Sequence, residues 1–287
     1  MKHHAASYGA KGLAALALVF LICFVAERRW PLRQWTTPRL PRAFSNLSLG
    51  LLGSVAVRLA LYSLTVHFAA RAAHNHWGIL PRLTHGRVAF VAGFFLLDYT
   101  LYLWHWMNHQ FPFLWRFHNV HHIDLDLDVT TSARFHVGEL ALASLYRLLQ
   151  IYVLGVGPAT VVVFDAVVWP AVEFHHSNIR LPLGLERALN KVIVTPRMHG
   201  IHHSIVRNET NSNFSTIFSF WDRLHATLRL NVPQRELTIG VPSYRRAEEI
   251  SFVQSLLAPF RAERPWATED GKEPVRAEPP EPLSTMV

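Results

Sequence analysis

Histidine is the residue type that most constrains this chain, because eleven histidines lie between His105 and His203. Imidazole is among the commonest protein ligands of transition metals. Eight of the eleven fall into three boxes with regular spacing, His105-x3-His109, His118-x2-His121-His122 and His199-x2-His202-His203. The flanking residues are almost all apolar. This pattern predicts a site for more than one metal ion on a scaffold of apolar helices.

The composition favours a membrane protein, since half of the 287 residues are hydrophobic and only 17% are charged. A transmembrane helix needs about 20 apolar residues. Five stretches approach that length: Gly12–Ala26, Ala43–Ala70, Val88–Trp104, Glu139–Leu154 and Ala159–Phe174. We predict an all-α integral membrane protein with about four to five transmembrane helices. A cytosolic helical cap is expected to hold the polyhistidine dimetal site.

Basic residues determine the predicted topology. Five arginines lie in a short run between the first two apolar stretches, at Arg28, Arg29, Arg33, Arg39 and Arg42. Such a run indicates a cytoplasmic loop under the positive-inside rule. Five crossings would then place all three histidine boxes on the cytoplasmic side, and we expect a bacterial inner membrane. The net charge of +8 does not indicate nucleic-acid binding, because the basic residues are scattered rather than clustered.

Three regions are predicted along the chain. Residues 1–42 form a transmembrane anchor and a basic loop, and residues 43–262 form the histidine-bearing domain. Residues 263–287 are rich in proline and charge, so they have too little apolar surface to offset the entropy of ordering, and we expect disorder. The single cysteine, Cys23, excludes an intrachain disulfide and an iron–sulfur cluster held by this chain alone.

The spacing within each box indicates how the rings are shared between ions. His105 and His109 would lie on one face of a helix, where both reach a common ion. In the other two boxes the first two histidines share a face by i,i+3 spacing, and the third points about 100° away. Each of these boxes can therefore serve two neighbouring ions, with His118 and His121 expected to act together.

Other classes of protein also bind metal or haem through histidines. The metalloprotease pattern His-Glu-x-x-His is absent, and soluble di-iron bundles use two Glu-x-x-His motifs where this chain has one, Glu173 to His176. A zinc-binding membrane hydrolase with the same boxes stays open, because imidazole geometry does not choose between iron and zinc. A metal transporter would place its histidines in mid-span, and a bis-histidine haem protein would space them singly on facing helices.

Longer motifs surround the boxes. Asp98-Tyr-Thr-Leu-Tyr-Leu-Trp-His105 leads into the first box. The others are Thr131-Ser-Ala-Arg134-Phe-His136-Val-Gly-Glu139, Phe174-His-His176-Ser-Asn178, Thr195-Pro-Arg197-Met-His199 and Trp221-Asp222-Arg223-Leu224. In these motifs and their order, the chain from about Phe90 to Leu230 resembles the fatty acid hydroxylase superfamily, also called the sterol desaturase family. Trp106 and Val137 stand where that family more often has Arg and Pro, which leaves the substrate open.

The resemblance implies a membrane-bound, non-haem di-iron enzyme that uses O2 to hydroxylate or desaturate a lipid, with zinc as a possible substitute for iron. It also implies a separate electron donor of the ferredoxin or cytochrome type. The implied metal ligands are His105, His109, His118, His121, His122, His176, His199, His202 and His203. His136 is implied as either a ligand or a residue that orients one, and His175 is left out. Asp98 and Asn178 are expected to hydrogen-bond to ligand imidazoles.

Overall fold

The computed structural model describes residues 2–276, without the side chains of residues 2–11, 13 and 58–60. Over these residues the fold is all-helical, as predicted. The helices are α1 (Lys2–Arg29), α2 (Arg39–Gly53), α3 (Leu59–His74), α4 (Leu80–Leu83), α5 (Gly86–Gln110), α6 (Pro112–His122), α7 (Val137–Leu154), α8 (Pro158–His176), α9 (Leu183–Leu189), α10 (Pro196–His202), α11 (Arg207–Thr210), α12 (Phe220–Leu224) and α13 (Phe252–Leu257). A π-helical segment, Ser54–Arg58, joins α2 to α3.

Two helices, α5 and α7, are long and apolar enough to cross a membrane. The bent pair Arg39–Val57 and Leu61–His74 would add a third span if it crosses as one unit, with a bend of 50°. The predicted stretches Gly12–Ala26 and Ala159–Phe174 lie in α1 and α8, which are not among the candidate spans of the described residues. The predicted count of four to five spans is therefore not confirmed.

The main core forms where α3, α5, α7 and α8 meet. Ala69 of α3, Leu97 of α5, Ile151 of α7 and Phe164 of α8 are fully buried in one cluster. A left-handed glycine, Gly155 at φ 74°, ends α7. A Cβ atom there would lie 2.0 Å from the carbonyl oxygen of residue 77, so only glycine fits this turn. The core packs α5 against α8, and each of these helices carries histidine in its last turn.

The loop between α1 and α2 is tied to the loop that follows α6. The guanidinium of Arg42 is buried, lies 2.8 Å from a carboxylate oxygen of Asp124 and also pairs with Asp128. Arg39 pairs with the buried carboxylate of Glu27. Of the five arginines in the predicted basic loop, only the first two are exposed. Arg39 and Arg42 are therefore paired with carboxylates inside the fold, and Arg42 contacts the loop that follows the second histidine box.

Residues 263–276, the first part of the segment predicted to be disordered, lie against the body of the protein. The indole N–H of Trp266 donates to the carbonyl oxygen of Ile205 at 2.8 Å, and its ring packs against Trp115. The guanidinium of Arg276 lies 2.6 Å from a carboxylate oxygen of buried Glu209. These contacts order a stretch whose composition alone indicated disorder, so the prediction does not hold there. Residues 277–287 lie outside the described part of the chain.

Candidate metal centre

The predicted ligands lie at the C-terminal ends of four helices. The last turns of α5 carry His105 and His109, and α6 ends with the second box. His176 is the last residue of α8, and α10 carries the third box, with His203 directly after its end. A helix C-terminus has unpaired carbonyl groups and the negative end of the helix dipole, which favour a cation. The backbone thus contributes negative potential that neutral imidazoles lack.

The nine imidazoles converge in two groups, and within each group one nitrogen per ring lies within 4.8 Å of the others. The five-histidine group consists of His105, His109, His118, His122 and His202, and the four-histidine group of His121, His176, His199 and His203. The groups adjoin, since the ring centroids of His122 and His203 are 4.4 Å apart. Two neighbouring metal ions fit this arrangement.

Spacing by four residues sorts the histidines of the second and third boxes. His118 and His122 belong to the five-histidine group, whereas His121, between them in the sequence, belongs to the other group. In the third box the outer two rings join the four-histidine group and His202 joins the five-histidine group. Each box serves both groups, as predicted. The predicted pairing of His118 with His121 is wrong, because the i,i+4 pair rather than the i,i+3 pair shares a group.

Hydrogen bonds fix the tautomer of five of the nine rings. In each, Nδ1 lies between 2.7 and 3.2 Å from an oxygen that can only accept a hydrogen bond. The acceptors are the carbonyl oxygens of Phe214 for His105, Arg134 for His121, Val172 for His176 and Ser212 for His202, and Oε1 of Glu139 for His118. Nδ1 therefore carries the proton, and Nε2 keeps the lone pair that a metal ion needs.

The Nε2 atoms of neighbouring imidazoles in the two groups face one another at short range. Those of His121 and His176 are 3.0 Å apart, and neither carries a hydrogen. The Nε2 atoms of His176 and His199 are 3.1 Å apart, and those of His118 and His122 are 3.2 Å apart. The lone pairs of His121 and His176 repel at such a distance unless a cation lies between them. The nitrogen atoms of both groups therefore fit a bound metal ion.

Burial keeps the rings in the form that binds metal. The pKa values of His199, His202 and His203 lie well below the ordinary value, because desolvation and the neighbouring imidazoles disfavour the imidazolium form. Burial lowers the pKa values of His121 and His122 in the same way. Neutral imidazole is the ligand form. The described part of the site thus offers uncharged nitrogen donors at neutral pH.

Glu139 is a site residue that the sequence motifs did not single out. It is 4% exposed, and Oε1 accepts the Nδ1 proton of His118 at 2.7 Å. A carboxylate in this position fixes the ring orientation of a metal ligand and raises its basicity. The available sequence signal was an acidic residue in the first turn of an otherwise apolar helix, α7.

His136 lies in neither group. Its Nδ1 accepts the N–H of Gly138 at 2.9 Å, and its Nε2 donates to the carbonyl oxygen of Leu256 at 3.2 Å. The ring therefore caps the N-terminus of α7, the helix that carries Glu139. Both ring nitrogens are used within the protein, so the structure corrects the prediction of His136 as a ligand.

His175 touches the four-histidine group from outside. Its ring centroid is 4.2 Å from that of His199, and its Nδ1 donates to the carbonyl oxygen of Thr216 at 3.1 Å. It belongs to neither group. Leaving this residue out of the implied ligands therefore agrees with its place in the structure.

Asp98 does not reach an imidazole, contrary to expectation. Its carboxylate accepts the backbone N–H groups of Ile217 and Phe218 at 3.3 and 3.2 Å and the indole N–H of Trp221 at 2.7 Å. It therefore anchors the segment that follows Thr216.

Asn178 is also placed differently from the prediction. Its Oδ1 accepts the backbone N–H of Arg33 at 2.9 Å, and its Nδ2 donates to the carbonyl oxygen of the same residue at 2.8 Å. The backbone N–H of Asn178 donates to Glu27 at 3.0 Å. Asn178 therefore joins the end of α8 to the loop after α1, and the prediction that it holds an imidazole is corrected.

Segment 212–218 holds three histidine rings through its backbone. The carbonyl oxygens of Ser212, Phe214 and Thr216 accept from the rings of His202, His105 and His175, respectively. Asp222 fixes the segment in turn, because its carboxylate accepts the backbone N–H of Phe214 at 2.8 Å. Burial raises the pKa of Asp222, although its hydrogen bonds oppose the shift.

Comparison with known proteins agrees with this geometry. Residues 90–227, which include all nine imidazoles, match the family model described as fatty acid hydroxylase. This region is therefore similar to the fatty acid hydroxylase family. The chain is 31% identical to human cholesterol 25-hydroxylase over 145 residues, which are 49% of this chain and 51% of that protein. It thus spans about half the length of that relative.

A bacterial relative aligns over more of the chain. The ornithine lipid hydroxylase OlsE of Rhizobium tropici is 28% identical over 239 residues, which are 80% of this chain and 69% of that protein. A cholesterol 25-hydroxylase-like protein of Danio rerio is 27% identical over 181 residues, 59% of this chain and 70% of that protein. No solved structure matches significantly.

Proposed function

We propose that this protein is a membrane-bound, non-haem di-iron oxygenase that hydroxylates an unactivated C–H bond of a lipid. The observation that carries the proposal is the pair of adjoining imidazole groups within a fatty acid hydroxylase domain. Hydroxylation consumes O2, two electrons and two protons, and it yields the alcohol and one water. Desaturation at the same position consumes the same inputs and yields an alkene and two waters.

The nine imidazoles of the two groups are the proposed metal ligands. Iron bound there would supply the oxidising power that no amino-acid side chain has. The chain's own contribution is to hold the ligand nitrogens in place. Backbone carbonyls fix four Nδ1 protons and Glu139 fixes a fifth, so the rings are oriented before a metal binds.

The two groups differ in access. His105 and His109 of the five-histidine group are partly exposed, whereas all four members of the four-histidine group are buried. Both partly exposed rings belong to α5, a candidate membrane span. We infer that the lipid approaches along α5 and reaches the five-histidine group first. The buried four-histidine group excludes water from the opposite side of the centre.

The fold supports a common location for the three boxes. The Arg28 to Arg42 loop contacts the loop after the second box through Arg42, Asp124 and Asp128. If the loop is cytoplasmic, the whole centre faces the cytoplasm. We propose this orientation in a bacterial inner membrane, with the residues outside the spans forming a cytosolic cap.

The relatives narrow the choice of substrate. Two of them are named for the hydroxylation of cholesterol and of an ornithine lipid. We propose a lipid with a long apolar portion and would test ornithine lipid before a sterol, since that relative aligns over more of this chain. Electrons are proposed to come from a separate ferredoxin or cytochrome.

The proposal is tested by comparing lipid extracts from cells that express the wild type, His121→Ala or His202→Ala. These two histidines come from different groups. The exposed His67 provides the control substitution His67→Ala. We expect the wild type and the control to yield a lipid heavier by one oxygen, or lighter by two hydrogens, and both other variants to yield none. Turnover in either variant would contradict the proposal.

Metal analysis of the same preparations separates iron from zinc. Both metals accept imidazole nitrogen, so the geometry does not distinguish them. A wild-type protein that is active with iron supports the oxygenase. A protein that contains only zinc and hydrolyses a lipid would favour the competing hydrolase.

A further inference from the structure

A patch of apolar side chains is exposed beside α5. The Phe95–Leu224 patch consists of Phe95, Val192, Phe218, Phe220 and Leu224. Phe95 is 37% exposed, Val192 53% and Leu224 68%. The ring centroid of Phe218 lies 5.0 Å from that of Phe95 and 5.2 Å from that of Phe220, so the three rings form one surface. A continuous exposed apolar surface of this kind marks an interaction site.

The patch lies beside the middle of a candidate membrane span. Phe95 precedes His105 by ten residues, which is about 15 Å along a helix. Segment 217–221 therefore runs alongside the apolar part of α5 rather than beyond its end. Irregular backbone at such a depth is tolerated only where its polar groups are bonded within the protein. The buried carboxylate of Asp98 meets this requirement, because it accepts two backbone N–H groups and the indole N–H of Trp221.

The segments that contribute to the patch carry basic residues. Residues 180–193 and 217–229 contain two acidic residues, Glu186 and Asp222, and both are buried. The exposed charged side chains of these segments are Arg180, Arg187, Lys191 and Arg223. An apolar surface with a basic rim is complementary to a lipid surface that carries anionic phosphates.

We propose that the Phe95–Leu224 patch docks on the membrane. Phe220 and Leu224 enter the acyl region next to α5, and the long side chains of Lys191 and Arg223 extend towards the lipid phosphates. The docked segment is continuous with residues 212–216, whose carbonyls hold histidine rings, so the bilayer helps to keep those rings in place. The proposal rests on α5 crossing the membrane, and it is independent of the metal and of the reaction.

The test measures the depth of spin labels in vesicles that contain the purified full-length protein. Single cysteines are introduced at Leu224, Val91 or Glu248 in a Cys23→Ala background and labelled with a nitroxide. Val91 is exposed on α5 and serves as the lipid control, whereas Glu248 is exposed outside the patch and serves as the water control. Power saturation then compares collisions with O2, which concentrates in lipid, and with a nickel chelate, which stays in water.

We expect the Leu224 label to behave like the Val91 label, with collisions dominated by O2. A Leu224 label that behaves like the Glu248 label, while Val91 reads lipid, would overturn the proposal. Protection of Leu224 from both reagents would also overturn it, because a second protein copy would then cover the patch. A Val91 label in water would remove the membrane span and this proposal together.

A second arm tests the basic rim. Vesicles of phosphatidylcholine with added phosphatidylglycerol are compared with vesicles of phosphatidylcholine alone. We expect the anionic lipid to move the Leu224 label deeper, and Arg187→Gln with Lys191→Gln to remove that shift. An identical depth in both lipids would overturn the role of the rim. The Val91 label is expected to stay at constant depth throughout.

Discussion

Glu139 provides a test of whether the two histidine groups bind metal separately. Its carboxylate contacts His118 of the five-histidine group at 2.7 Å, and both side chains are buried. Removing the carboxylate that orients a ligand imidazole weakens metal binding by about 10- to 100-fold. That range equals roughly 1.4 to 2.7 kcal/mol. It agrees with the roughly 1.5 to 3 kcal/mol given by a hydrogen bond to a charged group.

We therefore expect Glu139→Ala to lower metal affinity by this amount in the five-histidine group alone. Glu139→Gln is the matched control, because its amide oxygen still accepts from His118 and its amide nitrogen replaces Oε2, which has no hydrogen-bond partner. The assay is a chelator titration of the metal-loaded protein, followed by metal analysis. Wild type should release its metal late, and Glu139→Ala should release one ion early and one late.

Simultaneous early loss of both ions would show that the groups do not bind separately. Unchanged release in Glu139→Ala would refute the role of the carboxylate. A Glu139→Gln protein as weak as Glu139→Ala would show that the charge, rather than the hydrogen bond, holds the ring.

Three further predictions concern charged side chains that stabilise the fold outside the two histidine groups. Asp98→Asn should lower the melting temperature, by the roughly 1 to 3 kcal/mol of a disturbed buried hydrogen bond, and leave bound metal unchanged by metal analysis; parallel metal loss would contradict this. Arg276→Ala should destabilise the protein by a similar amount in thermal melts, because it leaves the buried Glu209 without its cation; an unchanged melt would mean that residues 263–276 contribute nothing. The hydrogen bond that Glu249 accepts from Arg246 lowers the pKa of Glu249 to about 2. The ionised carboxylate should therefore stabilise the fold above the ordinary pKa of 4.5, and this stabilisation should be lost as the pH falls towards 2. The melting difference between wild type and Glu249→Gln, expected to reflect roughly 0.2 to 1 kcal/mol, should shrink over that range, and a constant difference would contradict the assignment.

The sequence predicted the site more fully than its supports. Box spacing identifies eight of the nine rings because helical periodicity is local, and the ninth, His176, was implied by the family resemblance. Hydrophobic flanks locate α5 and α7. The partner of each Nδ1 could not be predicted, because most are backbone carbonyls from distant segments, such as that of Phe214 for His105. Asp98 was singled out as a polar residue within an apolar stretch, and Asn178 as part of a family motif. Neither observation specifies what the side chain contacts, and the structure gives both residues partners other than an imidazole.

The number of arginines in a loop does not by itself determine the membrane topology. Charge counting treats every arginine between two spans as facing lipid head groups. Here Arg42 is buried against carboxylates that lie more than eighty positions away along the chain. Local sequence does not reveal such long-range pairing. Likewise, Trp266 orders a segment whose average composition is that of a disordered tail.

The wide sequence separation of the ligands has a consequence for biogenesis. His105 and His203 are the first and last members of the set, and the third box, in α10 and directly after it, contributes three of the nine rings. A nascent chain that ends before α10 can therefore present only an incomplete set of donors. The loop after α1 also completes its contacts late in synthesis, because Arg33 donates a hydrogen bond to Gln234, 201 positions later in the chain. A complete donor set for the proposed metal centre therefore forms only after the chain has been synthesised as far as His203.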